Sequence, residues 1–174
     1  MSDPSASLIA AIPRLRRYAR ALLGPHGGAD DLVQDTVERG WRRLASWRRG
    51  SDMRAWLFGI MHNLHVDRLR QPTLATEPLD APGTGDQAAA LADPGPEPSA
   101  GLALRDLDHA LAQLPPEQRS VLLLVALEEM SYEQVAATLD IPLGTVMSRL
   151  SRGRERLRLL MAGQAVPAPL KVIK

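Results

Sequence analysis

The chain contains no cysteine in its 174 residues. That excludes a disulfide framework, a thiolate metal site and a catalytic thiol. Long apolar runs are missing too. The longest, Val121 to Leu127, is far short of the ~20 residues a membrane helix needs, so no membrane insertion is expected. Met1-Ser2-Asp3-Pro4 has no basic segment leading into an apolar stretch. A signal peptide is therefore not expected, and the expected location is cytoplasmic. Alternating strand patterns are absent, which points to an all-α chain. Charge of one sign is lacking as well: the formal net charge is only +1.

The distribution of charge says more than its sum. Between residues 72 and 100 stand Glu77, Asp80, Asp86, Asp93 and Glu97, with no Lys or Arg. Between Pro13 and Arg70 twelve Arg face six acids, and between Leu143 and Leu160 five Arg face one Glu. Two basic segments flanking an acidic spacer suit two contacts on one polyanion. Arg greatly outnumbers Lys, and Ala, Pro and Gly are frequent, as a GC-rich coding sequence would give. Such bias does not explain the clustering.

Residues 13–70 read as helices. Leu15, Tyr18, Ala19, Leu22 and Leu23 share one helix face, and Pro13 is expected to start that helix or to kink it away from a short one over Ser7–Ile12. A breaker cluster, Gly24 to Gly28, separates it from a helix over about 29–45 with Val33, Val37, Trp41 and Leu44 on one side. A basic loop, Trp47 to Asp52, precedes a third helix over about 53–70 that buries Leu57, Ile60, Met61 and Leu64. Residues 71–100 carry six Pro and no sustained periodicity, the composition of a flexible linker. Helices are then expected over 102–113 and from Pro115-Pro116 onward, burying Val121, Leu122, Val125 and Ala126. Ser131 and Gln134 have the spacing of a capping box that opens a short helix. Asp140-Ile141-Pro142 makes a turn into a last helix carrying Val146, Met147, Leu150, Leu157, Leu160 and Met161. Two small helical domains follow, 1–70 and 101–162, with a tail over 163–174.

A capped short helix, a tight turn and a longer Arg-rich helix make a helix-turn-helix, whose second helix fits the major groove. Val146 and Leu150 point inward, leaving Thr145, Ser148, Arg149, Ser151 and Arg152 to point out. Hydroxyls and guanidiniums bond phosphates, and Arg grips guanine O6 and N7. The same residue types also suit a solvated, salt-bridged face. Upstream, Asp31, Gln34, Asp35 and Glu38 form a polar stripe at i, i+3, i+4, i+7, which suits a basic partner helix or plain solvent.

Four segments, Leu114-Pro115-Pro116-Glu117-Gln118-Arg119, Ser131-Tyr132-Glu133-Gln134-Val135-Ala136, Gly144-Thr145-Val146-Met147-Ser148-Arg149-Leu150 and Arg154-Glu155-Arg156-Leu157, together resemble the C-terminal domain of extracytoplasmic-function sigma factors. In that family this domain reads the −35 element. Met147 departs from the pattern, since many members carry Lys or Arg there. Asp30-Asp31-Leu32-Val33-Gln34-Asp35-Thr36 resembles the family's segment that docks on the clamp helices of the RNA polymerase largest subunit. Residues 53–70, with Trp56-Leu57, Asn63 and Asp67-Arg68-Leu69-Arg70, resemble its −10-reading helix, and the preceding loop sits where the family captures a flipped-out base. The resemblance implies that Asp31, Gln34, Asp35 and Glu38 bind core polymerase. It implies that Trp47, Arg48, Arg49, Ser51, Asp52, Arg54 and Asn63 contact single-stranded non-template −10 DNA, and that Thr145, Ser148, Arg149, Ser151 and Arg152 contact duplex −35 DNA. Trp47 and Trp56 also suit core packing. An anti-sigma factor is implied as a further partner.

The rival reading is a helix-turn-helix regulator that binds operators without polymerase; the acidic stripe and the −10-like helix speak against it. A protein-interaction adaptor without DNA binding is a third class. Rival chemistry is thin. His62 and His65 stand at i, i+3 with no further ligand cluster, and Gly83 and Gly85 follow no strand, so they make no nucleotide loop. No nucleophile–base pair stands out. The expectation is a non-enzyme with no metal and no cofactor.

Overall fold

The computed structural model describes residues 3–24, 27–48, 50–71 and 98–164. Most of the acidic linker expected over 71–100 and most of the tail lie outside the described residues. Among the described residues all regular structure is helical. The helices are α1 (Pro4–Leu23), α2 (Ala29–Arg42), α3 (Met53–Arg70), α4 (Pro98–Ala112), α5 (Pro116–Ala126), α6 (Tyr132–Leu139) and α7 (Leu143–Met161), with a 3-10 turn at Leu44–Ser46. Two helical domains fit this arrangement.

Three local expectations need correction. Pro13 neither starts nor breaks α1; it sits inside one continuous helix. The helix begins at Asp3, whose carboxylate accepts the Ser5 N–H at 3.1 Å. Leu8, Ala11, Leu15, Tyr18 and Leu22 then bury one stripe on both sides of the proline. That burial holds the helix together across the missing i→i−4 bond, while the Pro13 ring faces solvent. In α2 the buried face is Leu32, Val33, Thr36 and Gly40, and Trp41 stands 53% exposed. The core lies at Gly40 because α3 comes so close: a Cβ there would stand 2.7 Å from the Leu57 side chain. Ala126 is exposed and Val125 only half-buried, since α5 ends there.

α1, α2 and α3 form one three-helix unit, joined by an edge-to-face pair of Tyr18 and Phe58 with ring centroids 5.0 Å apart. α5, α6 and α7 form the second around Val121, Leu124, Val135, Val146 and Leu150. The capping box at the start of α6 is complete: the Ser131 N–H donates to Gln134 Oε1 at 2.8 Å, and the Gln134 N–H donates to Ser131 Oγ at 3.2 Å. Asp140, at φ +53°, ends α6 in the left-handed conformation that Asp tolerates.

The two units are packed together. α1 meets α4 and α5, and α3 meets α6. Glu128, 3% exposed at the end of the α5 unit, accepts a 2.9 Å hydrogen bond from Arg17 of α1. Arg17 also donates to the Leu127 carbonyl at 2.7 Å. Arg14 stands 3.5 Å from the second Glu128 oxygen, a charge contact without hydrogen-bond geometry. Arg119 reaches back to the Leu22 carbonyl at 2.7 Å. Tyr18 donates a long hydrogen bond, 3.5 Å, to the Ser120 carbonyl, and burial pushes its phenol well above the ordinary value.

Candidate nucleic-acid and protein interfaces

The acidic stripe of α2 is where its spacing places it. Asp31, Gln34, Asp35 and Glu38 are all exposed. Asp35 pairs with Arg68 of α3 at 2.6 Å, and Glu38 pairs with Arg42 one turn on. Gln34 and Glu38 also border a groove floored by Ile12, Val33, Val37 and Trp41. Helical spacing puts Trp41 on one side with Val33, Val37 and Leu44, but spacing alone does not show that this side stays open to solvent at Trp41. The offset of Trp41 from the buried stripe Leu32-Thr36-Gly40 is the signal that could have found it.

The loop before α3 is a compact turn. The Ser51 N–H and Oγ both donate to the Arg48 carbonyl, at 3.0 Å and 2.7 Å, and Gly50 takes φ +90°. Arg48 and Ser51 are exposed, and Arg49 is outside the described residues. Asp52 caps α3, accepting the Arg54 N–H at 2.9 Å and pairing with the Arg54 guanidinium at 3.1 Å. Burial raises its carboxyl pKa, but the Arg54 hydrogen bonds and charge outweigh that and hold it below the usual value. Trp47 is half-buried against the core, its indole N–H buried without a partner. Asn63 is exposed, about 180° around the helix from Arg54 at 100° per residue. The structure thus does not put Asn63 and Arg54 on one face of α3.

On α7, Val146 and Leu150 are buried, and Ser151, Arg152 and Met147 are exposed. Thr145 and Ser148 are half-buried, and the Ser148 hydroxyl donates to the Thr145 carbonyl at 3.1 Å. Arg149 is half-buried as well. Its charge is close enough to α3 to act on His62, whose pKa burial, the nearby His65 and Arg149 together push down to about 4. His65 is buried and likewise lowered, by burial and then by Arg119 and Arg68. Neither histidine belongs to a group of three or more His, Cys, Asp or Glu placed to hold a metal among the described residues. Among those residues no helix is long and apolar enough to cross a membrane.

Comparison with known proteins covers both units. Residues 8–62 match the family described as the Sigma2 domain of PhyR, and residues 104–157 match Sigma-70, region 4. The chain is 37% identical over 154 residues to the ECF RNA polymerase sigma factor EcfG of Rhodopseudomonas palustris, covering 88% of this chain and 82% of that protein. It is 39% identical over 153 residues to the ECF RNA polymerase sigma factor SigE of Mycolicibacterium smegmatis, covering 86% of this chain and 58% of that longer protein. Among solved structures, it is similar to the sigma factor RpoE of Bartonella quintana in complex with the anti-sigma factor NepR. That likeness has a TM-score of 0.71 and 34% identity, over 89% of this chain and 94% of that one.

Proposed function

The chain belongs to the extracytoplasmic-function RNA polymerase sigma factors, and we propose that it divides promoter binding between its two helical units. It is a transcription-initiation factor that directs core polymerase to promoters, and anti-sigma factors of the NepR kind are its class of regulator. The polymerase carries out the synthesis; this chain contributes binding and has no catalytic role of its own, in the cytoplasm where polymerase works. The exposed stripe Asp31, Gln34, Asp35 and Glu38 takes a basic face of the core enzyme. The Trp47–Asp52 loop and Arg54 take non-template −10 DNA in single-stranded form, and Asn63, on the opposite face of α3 from Arg54, makes a separate contact with it. Thr145, Ser148, Arg149, Ser151 and Arg152 hold the −35 duplex.

The observation that carries this division is the α6–α7 pair. A capped helix, a left-handed turn at Asp140 and a helix exposing Ser151 and Arg152 support a recognition helix that offers hydroxyl and guanidinium groups to a groove. The N-terminal unit supports a role beyond that of an operator-binding regulator, because its acidic stripe is exposed. The test is transcription reconstituted from this chain, core polymerase and a promoter found by mapping start sites after overexpression. Specific initiation that needs both elements is expected. Tight operator binding without recruitment of core would favour the regulator instead.

A further inference from the structure

We infer that Met147 makes α7 selective for thymine, by contact of its side chain with the C5-methyl group of one base in the −35 duplex. The inference rests on the assignment of α7 to that duplex. Val146, Leu150 and Gly153 turn one side of α7 into the core. The other side carries Ser151 and Arg152, both exposed. At the N-terminal end of the helix a short apolar edge runs between the two sides. Leu143 is 41% exposed, and Met147, one turn on, is 53% exposed. Ser151 continues the same line after one more turn. Met147 and Ser151 border an open cleft together with Tyr132 of α6, Leu150 and Arg154. Met147 is thus the apolar member of a face otherwise built of hydroxyl and guanidinium groups. It stands within the first two turns of the helix, where helix-turn-helix proteins touch bases.

The chemistry of the groove selects the base. Every pair presents hydrogen-bonding groups there, and thymine alone adds a methyl. A thioether has no donor and only a weak acceptor. Pressed against guanine O6, adenine N6 or cytosine N4, it strips water from a polar group and returns no bond. Against the thymine methyl it buries apolar surface on both sides, and its unbranched chain adapts to the groove. Arginines around it supply phosphate affinity that is blind to sequence, so Met147 adds preference rather than strength. A protein occupant fits this edge less well. Two exposed apolar side chains make a patch far smaller than a stable protein contact buries, and hydroxyl and guanidinium groups surround it.

Uracil in place of thymine removes the methyl and keeps every hydrogen-bonding group, which isolates the contact. Holoenzyme reconstituted from the full chain and core polymerase is titrated with promoter duplexes in which each thymine of the −35 element, on either strand, is replaced in turn by uracil. Wild type should lose affinity about three- to fivefold at one position, the worth of one buried methyl. Met147→Ala should bind the thymine promoter more weakly by a similar factor and treat thymine and uracil alike at that position. Met147→Leu should keep the discrimination. Met147→Arg should abolish it while binding both duplexes more tightly. The position is exposed, so these changes should leave folding intact, and a purely structural role would not move the thymine-to-uracil ratio. Insensitivity to uracil at every position overturns the inference, as does discrimination that survives Met147→Ala or an element with no A·T pair. Met147→Ala that weakens core binding and leaves the ratio unchanged marks the edge as a protein contact and overturns it too. Should the whole −35 element tolerate scrambling without loss, the assignment of α7 to that duplex fails, and the inference with it; a scramble-sensitive but uracil-insensitive element sinks the role of Met147 alone.

Discussion

Individual side chains divide into those that hold the fold and those left for partners. Asp31 is exposed and Asp35 is engaged only in a half-exposed pair with Arg68, an interaction worth at most about 1 kcal/mol. Asp31→Ala with Asp35→Ala should leave the melting temperature within a few degrees of wild type while core-polymerase binding drops clearly; undiminished binding would discard this face as the docking site. The recognition-helix arginines differ in surroundings. Arg152→Ala, at an exposed position, should weaken −35 binding by about 1–3 kcal/mol if it reads a base, or flatten the salt dependence by about one unit if it holds a phosphate. Met147→Arg, at a position 53% exposed, should tighten −35 binding and steepen that dependence. Titrating a −35 duplex over a range of salt checks both. His62 has a pH signature. Its folded value, about 4, lies below the ordinary 6.5, so the unfolded chain binds the proton more readily. Its contribution is fully present above about pH 6.5 and is lost as pH falls toward 4. The loss should be roughly 1–3 kcal/mol after allowing for partial exposure. His62→Gln should flatten the urea stability profile across that window; an unchanged profile would show that His62 is not the group responsible.

Single helices carry their own start and stop signals, and these have separable costs. Replacing Ser131 by Ala removes the oxygen that accepts the Gln134 N–H and should cost about 1 kcal/mol. Because α6 is only eight residues long, that loss should also appear as faster amide exchange confined to 132–139. Uniform exchange over the whole chain would mean that α6 does not open by itself. Pro13 is the opposite case. It denies α1 one hydrogen bond while contributing an exposed ring. Pro13→Ala should therefore stabilise the protein, by up to about 3 kcal/mol. A loss of stability would show that a bend at Pro13 is needed to seat Leu8 and Leu15 together.

For the whole molecule, the contact between the units is a mixture of buried charge and close backbone approach. Glu128, Arg14 and Arg17 are worth little as a set compared with apolar packing, yet breaking the set strands a buried carboxylate or leaves guanidiniums without their partner. The intact chain should accordingly unfold in one cooperative transition, with calorimetric and van't Hoff enthalpies agreeing. Arg17→Ala should lower that transition by more than a surface change would, because it leaves the 3%-exposed Glu128 with Arg14 alone. Two well-separated transitions in wild type would contradict the shared packing of α1 with α5 and of α3 with α6.

Much of this was legible along the chain because it rests on local rules. Helix periodicity, the Ser131–Gln134 cap, the turn at Asp140 and the outward Ser151 and Arg152 depend on neighbours within a few residues, and the spacing of apolar positions states them directly. The resemblance to the sigma family rested on the same local strings. What lay beyond reach depends on which surface meets which across long sequence separations. Trp41 follows the helical period but misses the core, because α3 approaches α2 at Gly40 and fills the space there. Pro13 stays inside a helix because distant side chains bury both flanks. Glu128 looks like any acid until Arg14 and Arg17, more than a hundred residues away, enclose it. The placement of α6 on α3 was likewise invisible, since Gly59 in α3 states only that there is room, and the tertiary structure alone shows that Thr138 occupies it.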